Sequence, residues 1–230
     1  MHPLILGAGL LSAGLARAGT GVPACPPAQA AVLERLFSAD CADCWGSAQA
    51  ADGAASAPAS RWLFDWIVPA GADAPLAAGA LPESAERLQR LGRAGPQGAA
   101  DALPRQVLRA ARPLPAAGLR VVSGPAWSGY FGLELRLTPA TGGRLPAGSS
   151  GWLALVEQVP AGSDGTAVAR ALVRSVAGPL ALQAGPPGKP LTHLRALRWP
   201  ASAEPTRLQA RAWVEGPDGT ILAVAADQCR

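Results

Sequence analysis

VLERLFSADCADC, residues 32 to 44, is the stretch on which the interpretation of the whole chain depends. The apolar run over residues 31 to 37 predicts a strand, and Ser38-Ala39-Asp40 predicts the turn that ends it. Cys41-Ala42-Asp43-Cys44 then opens a stretch of small residues able to start a helix. The expected order is therefore strand, turn, Cys-x-x-Cys and helix.

This spacing of the two cysteines suits thiol–disulfide chemistry. A thiolate at the start of a helix is stabilised by the helix dipole and by backbone N–H groups without partners, so Cys41 is the predicted attacking thiol. Cys44, one turn further on, is the predicted resolving thiol. Asp43 between them and Asp40 before them carry negative charge that opposes thiolate formation. We therefore expect Cys41 to be less activated than the thiol of a strongly oxidising site.

Metal binding and a purely structural disulfide are the interpretations of the Cys-x-x-Cys pair that compete with exchange. A structural zinc site needs about four ligands, and beyond the cysteines the chain after residue 18 offers only His193, so neither a metal nor another cofactor is expected. A stable structural disulfide is the stronger alternative, because a cysteine pair on an exported protein can be oxidised and stay so. The residues alone leave exchange and a structural role open.

The compartment is predicted from the N-terminus. Residues 3 to 16, PLILGAGLLSAGLA, have the length of a secretory apolar region, and Ala16-Arg17-Ala18 has the small-residue pattern of a cleavage site. We expect residues 1–18 to be a signal peptide and the protein to be periplasmic or secreted, where disulfides persist. A buried N-terminal helix of a cytosolic protein is the alternative.

Cys25 and Cys229 lie near the two ends of the chain that follows the proposed signal. Four cysteines allow three connectivities, and a Cys41–Cys44 bond leaves Cys25–Cys229 as the second. That bridge would join the two ends of the protein, and we expect it to be structural. The alternative is that each is a free or intermolecular cysteine.

The pattern of apolar residues changes in the middle of the chain. Before Pro113, a strand is predicted over residues 61 to 69, a helix from Pro82 and a further helix over Leu103 to Ala111. After Pro115, the apolar residues alternate. This predicts strands at Leu119 to Ser123, Gly132 to Thr138, Trp152 to Val159, Val168 to Ser175, His193 to Trp199, Arg207 to Glu215 and Ile221 to Ala225.

These elements predict an α+β protein of two domains. An α/β domain is expected over residues 19–115 and an antiparallel β-sandwich domain over residues 116–230. Asp218-Gly219 between two apolar runs is a hairpin signal within the second. The segment from Trp127 to Phe131 is turn-like, and its aromatic residues are interpreted as core packing, with exposure left open.

Charge and hydropathy support neither nucleic-acid binding nor a transmembrane segment after the proposed signal. The net charge is +4, from 20 Lys and Arg against 16 Asp and Glu, and the cations are spread singly. Nucleic-acid binding therefore has no support. After the proposed signal, no apolar stretch approaches the roughly 20 residues of a membrane-spanning helix. The expected partner is a protein thiol or disulfide.

Residues 32 to 44 resemble a segment of an uncharacterised family of secreted, thioredoxin-like bacterial proteins with a β-rich C-terminal domain. Glu34, Phe37, Ser38, Cys41 and Cys44 follow the family's pattern of a strand that leads through a short loop into Cys-x-x-Cys. The order of apolar stretches at 152 to 156, 172 to 176 and 216 to 225 is similar to the family's C-terminal portion. The resemblance implies a thioredoxin-like first domain, with Glu34 and Ser38 supporting the cysteine pair. Asp43, whose charge is expected beside the thiolate, is the third supporting residue.

The resemblance implies an exported, thioredoxin-like protein, with thiol–disulfide oxidoreductase activity through Cys41 and Cys44 as one hypothesis. The alternative is a non-enzymatic cell-envelope interaction module in which Cys41–Cys44 and Cys25–Cys229 are both structural. The family is similar to thioredoxins in having a cis-proline that faces the cysteines. This sequence departs from that pattern, because no Thr-Pro lies between residues 45 and 118. Val68-Pro69 and Leu103-Pro104 are the nearest substitutes.

Overall fold

A computed structural model describes residues 30–48, 61–96, 105–109, 112, 118–138, 144–183 and 189–227. The proposed signal peptide, Cys25 and Cys229 lie outside these ranges, and what the sequence predicts for them stays a prediction. Neither α-helix in the described ranges is long and apolar enough to cross a membrane.

Strands make up most of the described part of the chain. They are β1 (Ala31–Ser38), β2 (Arg61–Val68), β3 (Arg105–Arg109), β4 (Gly118–Trp127), β5 (Tyr130–Thr138), β6 (Ser150–Val159), β7 (Arg170–Ala181), β8 (Leu191–Arg198), β9 (Leu208–Glu215) and β10 (Ile221–Ala226). The α-helices there are α1 (Ala42–Gly46) and α2 (Glu83–Arg90).

The strands form two sheets. The larger has seven strands in the order β10-β9-β6-β7-β2-β1-β3, and the smaller has three in the order β4-β5-β8. β1 and β2 are parallel and pair along their whole length, from Ala31 opposite Arg61 to Ser38 opposite Val68. β2 and β7 are also parallel but pair only at Asp65 opposite Leu172. The other pairings are antiparallel.

The predicted fold class, a thioredoxin-like α/β domain followed by a separate β-sandwich, is wrong. Strands from both sides of the predicted boundary at residue 115 share one seven-stranded sheet, and α1 has only five residues. The physical reason lies in β1 and β2, which are buried along almost their whole length. The free edge of β2 needs a partner, and β7 supplies it from more than a hundred residues further along the chain.

The seven strands predicted after Pro115 are confirmed as β4 to β10, although their ends differ by a few residues. The helix predicted over Leu103 to Ala111 is wrong, because residues 105 to 109 form β3. This strand pairs antiparallel with β1, with Val107 opposite Glu34. A run of five residues is too short to show its period, and the free edge of β1 selects the extended form.

The large sheet buries apolar side chains on both faces. We call one face the tryptophan face. It carries the ring pair Trp152 and Trp213, stacked with ring centroids 5.6 Å apart, and Leu88 of α2 packs against it. The other members from β1 and β2 are Val32, Leu36, Trp62, Phe64, Trp66 and Val68.

The opposite face is divided between two partners. Along β6, β9 and β10 it packs against the small sheet, whose Leu133, Leu135 and Leu137 are fully buried. Along β1, β2 and β7 it packs against α1. This second part is the cysteine face, and its members are Phe37, Ala39, Cys41, Cys44, Trp45, Ile67, Val159 and Leu172.

Candidate disulfide site

The cysteine pair follows the end of β1 directly. The backbone turns at Ala39 and Asp40, and the Cys41 N–H donates to the Ser38 carbonyl at 3.1 Å. A second hydrogen bond fixes Ala39, whose carbonyl accepts the Leu76 N–H at 2.9 Å. Because β1 and its loop are anchored on both sides, α1 starts at a defined place beyond the carboxyl end of a buried strand.

Cys41 and Cys44 form a disulfide, as the spacing predicts. Their Cα atoms are 5.3 Å apart. Cys41 is the N-cap of α1, and its Sγ accepts a hydrogen bond from the Cys44 N–H at 3.3 Å. Cys41 is 4% exposed and Cys44 3%, whereas Asp40 and Asp43 are exposed to solvent. The bond therefore lies just beneath the surface, next to two exposed carboxylates.

Aromatic side chains cover the inner side of the disulfide. Trp45 follows Cys44 in α1, and its ring meets Phe37 of β1 edge-on, with ring centroids 5.5 Å apart. The Trp45 Nε1–H donates to the Asp164 carbonyl at 2.8 Å. This bond ties the short helix to the loop between β6 and β7, so α1 is held by long-range contacts as well as by its own sequence.

Arg170, at the start of β7, anchors the end of α1. Its Nη2 donates to the carbonyls of Trp45 at 2.6 Å and Ser47 at 3.0 Å, and its Nε donates to Thr166 Oγ1 at 3.0 Å. The guanidinium carbon lies 4.9 Å from the Phe37 ring centroid, within cation–π range. Burial lowers the pKa of Arg170 to about 10, an effect that the nearby Asp65 carboxylate partly offsets.

A buried ion pair joins the three strands beneath this site. Arg35 of β1 donates to both carboxylate oxygens of Asp65 on β2, at 2.6 and 2.7 Å. The same carboxylate accepts the Ala171 N–H of β7 at 2.7 Å. Asp65 of β2 thus binds the Arg35 side chain of β1 on one side and the Ala171 N–H of β7 on the other.

A cavity of about 170 Å³ lies beside Trp45. Its polar wall includes Arg174 of β7, which is held by Glu157 with Nε 2.5 Å from Oε2. The Arg174 Nη2 also donates to the Ser202 carbonyl at 3.3 Å. The lining residues are Trp45, Ile67, Pro75, Leu76, Ala78, Gly79, Asp164, Leu172, Arg174 and Ser202.

The other residues predicted to support the pair lie in different places. Ser38 is buried at the end of β1, and its carbonyl accepts the Cys41 N–H. Asp43 lies within α1, where its carbonyl accepts the Ser47 N–H at 2.9 Å. Glu34 lies on the tryptophan face, because side chains alternate along β1, and it has no contact with the disulfide.

Glu34 belongs to a separate cluster of charged groups. Arg87 of α2 binds it with two hydrogen bonds of 2.8 Å, and Arg109 of β3 lies 2.8 Å from Oε1. Glu215 of β9 also contacts both arginines and accepts the Trp213 Nε1–H at 2.7 Å. The buried Glu34, the partly buried Glu215 and two buried arginines neutralise each other in this cluster, so Glu34 stabilises the packing of α2 and β3 against the sheet.

Sequence reasoning missed Arg170 and Asp164. Both reach α1 from more than a hundred residues along the chain, so nothing local marks them. Of the two nearest substitutes for a cis-proline, Val68–Pro69 is not cis and Leu103–Pro104 lies outside the described residues. The cis peptide bond of the described residues is Gly178–Pro179, towards the far end of β7 from Arg170.

Fold and site together describe a mostly-β protein whose mixed sheet carries a Cys-x-x-Cys disulfide beyond the end of a parallel strand. No family model matches the sequence, and no curated protein matches it. The structure is similar to that of HBP35 of Porphyromonas gingivalis, with a TM-score of 0.53 and 12% sequence identity over 88% of this chain and 76% of that one. At this identity the similarity concerns the fold alone.

Proposed function

We propose that the protein is a thiol–disulfide oxidoreductase of an oxidising compartment, in which Cys41 and Cys44 exchange with a protein thiol pair. One observation carries the proposal: Cys41 Sγ is the N-cap of α1 and accepts the Cys44 N–H at 3.3 Å. When the bond is reduced, that N–H is placed to stabilise a Cys41 thiolate, which is the nucleophile in exchange.

The size of the disulfide ring also supports exchange. In the loop-entropy model, a bond that closes a four-residue loop stabilises a fold by about 2 kcal/mol, against nearly 5 kcal/mol for a loop of a hundred residues. Trp45, Arg170 and the bonds at Ser38 already fix the same turn. The disulfide therefore adds little stability to a turn that other contacts already fix.

The proposed reaction is a two-step exchange. A partner thiolate attacks Cys41 Sγ, the Cys41–Cys44 bond breaks, and Cys44 leaves as a thiolate that takes up a proton. A second partner thiolate then attacks the partner sulfur of the mixed disulfide and releases Cys41, which becomes a thiol on taking up a second proton. The partner loses two electrons and two protons, and the cysteine pair gains them.

Two measurements test the proposal. The reduction potential is obtained by equilibrating the protein with glutathione buffers and counting alkylated thiols, and activity is followed with a reduced model protein as substrate. A potential above about −300 mV together with turnover supports exchange. In reduced Cys44→Ser, the Cys41 thiolate should attack a disulfide of an oxidised model protein, release one substrate sulfur as a thiol and accumulate as a mixed disulfide, whereas Cys41→Ser should give none. A potential below about −300 mV with no turnover rejects the proposal.

A second candidate is a non-enzymatic interaction module in which the disulfide is structural. The observation that favours it is the burial of both cysteines, at 4% and 3% exposure. A partner sulfur needs an approach to Sγ that this covering restricts. The potential and the trapping experiment separate the two candidates, since a structural bond gives neither turnover nor a trapped mixed disulfide.

A further inference from the structure

The small sheet turns an unusual face to solvent. Its inner side is built from Leu133, Leu135 and Leu137, while the alternate side chains of β4, β5 and β8 form the outer face. Four of the five most exposed large apolar residues in the described part of the chain belong to these strands. They are Trp127 at 80%, Leu194 at 68%, Val122 at 50% and Tyr130 at 43% exposed.

Trp127 and Tyr130 form the tip of this face. They are cross-strand partners on either side of a two-residue turn between β4 and β5. Ser128 and Gly129 both have positive φ, 48° and 81°, as the tight hairpin turn that matches the twist of its strands requires. The turn therefore has a fixed backbone geometry, and it places two exposed aromatic side chains next to each other on the outer face.

The cations of the outer face are arranged around this apolar surface. Arg198 is the cross-strand neighbour of Tyr130, and Arg120 lies directly opposite Arg136. Like charges in opposite positions are unfavourable in an isolated sheet, and Glu134, the acidic residue of this face, contacts Arg136 at 2.7 Å. Three arginines against one glutamate favour a negatively charged partner.

We propose that the outer face docks on the surface of a bilayer that contains anionic lipid. Trp and Tyr are the side chains that settle at the boundary between hydrocarbon and water, and guanidinium groups pair with headgroup phosphates. Trp127 and Tyr130 would enter the boundary at the hairpin tip, with Arg198 at the phosphates beside them. Arg120 and Arg136 would follow along the sheet. This inference does not depend on the chemistry of Cys41 and Cys44.

The test is sedimentation of the full chain with vesicles, at low and high salt. The vesicles are phosphatidylcholine alone or phosphatidylcholine mixed with phosphatidylglycerol. We expect binding to the mixed vesicles only, weakened by salt. The double variants Trp127→Ser/Tyr130→Ser and Arg120→Ser/Arg136→Ser should each bind about tenfold more weakly. The matched controls Leu108→Ser and Arg112→Ser remove an exposed apolar residue and an exposed arginine elsewhere and should bind as the unaltered protein does.

A second measurement is independent of how well the serine variants fold. Brominated lipid quenches tryptophan fluorescence only at short range, and Trp127 is the exposed tryptophan at the tip. Vesicles that contain brominated lipid should quench the tryptophan fluorescence of the unaltered protein strongly. The quenching should be largely lost in Trp127→Phe, which keeps an aromatic ring at the hairpin tip.

Two outcomes overturn the proposal. One is absence of binding to the mixed vesicles, and the other is equal binding by the outer-face variants. If the protein binds soluble polyglutamate but not vesicles, the outer face is assigned to an acidic protein instead.

Discussion

Arg87 and Glu34 are joined by two hydrogen bonds, Nε to Oε2 and Nη2 to Oε1, each 2.8 Å long, across the contact between α2 and β1. Both side chains are almost fully buried. The Arg87 guanidinium also lies 4.6 Å from the centroid of the Trp152 ring. One arginine therefore links the helix, the parallel pair of strands and the aromatic cluster.

Loss of this arginine should destabilise the protein strongly. Arg87→Met keeps much of the volume but leaves Glu34 with Arg109 alone, and breaking a buried pair costs about 3 to 5 kcal/mol. Urea unfolding followed by tryptophan fluorescence measures the free energy. The control is Arg207→Met, which removes a partly exposed pair with Asp164 and should cost under about 1 kcal/mol. Equal losses in the two variants would contradict the prediction.

The same cluster predicts a loss of stability in acid. Burial alone raises the pKa of Glu34, but Arg109 and Arg87 outweigh it and the pKa lies below the ordinary 4.5. The pKa of Glu215 is lowered for the same reasons. The unfolded chain therefore binds protons first as pH falls. The stabilisation is complete above about pH 4.5 and is lost as the pH falls through the lower, folded-state pKa values.

Unfolding free energies measured from about pH 7 to about pH 3 test this sign. The unaltered protein should lose stability steeply at the acid end. Glu34→Gln should be less stable at neutral pH but should show a flatter acid slope, because one of the two coupled carboxylates is gone. Glu86→Gln alters an exposed residue of α2 and should keep the steep slope. A steep slope in Glu34→Gln would argue that other groups cause the loss.

Arg170 should control how readily the disulfide is reduced. Arg170→Lys keeps a cation but cannot donate to the carbonyls of Trp45 and Ser47 and to Thr166 at the same time. The end of α1 should loosen, and reduction by dithiothreitol should become about tenfold faster, since 1.4 kcal/mol of lost anchoring corresponds to that factor. Arg207→Lys is the matched control. An unchanged rate in Arg170→Lys would show that access to the sulfur does not depend on this anchor.

Asp43 should slow the reaction of the reduced protein with electrophiles. Its charge lies within the first turn of α1, beside the Cys41 thiolate, and opposes ionisation. Asp43→Asn should therefore raise the rate of alkylation by iodoacetamide near neutral pH, by about two- to threefold because the carboxylate is exposed and screened. Asp218→Asn, in the β9–β10 turn, should leave the rate unchanged. A slower rate in Asp43→Asn would reverse the assigned sign.

The local sequence pattern predicted most strands, because the polarity and shape of their side chains follow the burial of each strand. GLELRLT alternates clearly, and RWLFDWIV is apolar and β-branched, as a strand buried on both faces should be. Pairing between strands was not predictable in the same way. Nothing near Asp65 indicates that its carboxylate will meet Ala171, and RQVLR becomes a strand only because β1 offers an edge.

The sequence predicted the disulfide of the site but not the residues that hold it in place. Cys41 and Cys44 were found from spacing alone, because a helix start with this spacing brings the two sulfurs together. Arg170 and the aromatic contact of Trp45 could not be found, since they depend on how β7 is placed. Glu34 is the converse case, because the family resemblance placed it among the residues that support the pair, whereas alternation along β1 places it on the tryptophan face.

The single pairing of β2 with β7 has a consequence for how the protein is made. Asp65 and its partner at Ala171 are 106 residues apart, so β1 and β2 leave the ribosome with an apolar edge that no later strand can yet cover. At ordinary rates of synthesis that edge waits about 5 to 20 seconds for β7. During this interval the nascent chain exposes an unpaired strand edge that can pair with other chains, so a chaperone that shields this edge should raise the yield of this protein.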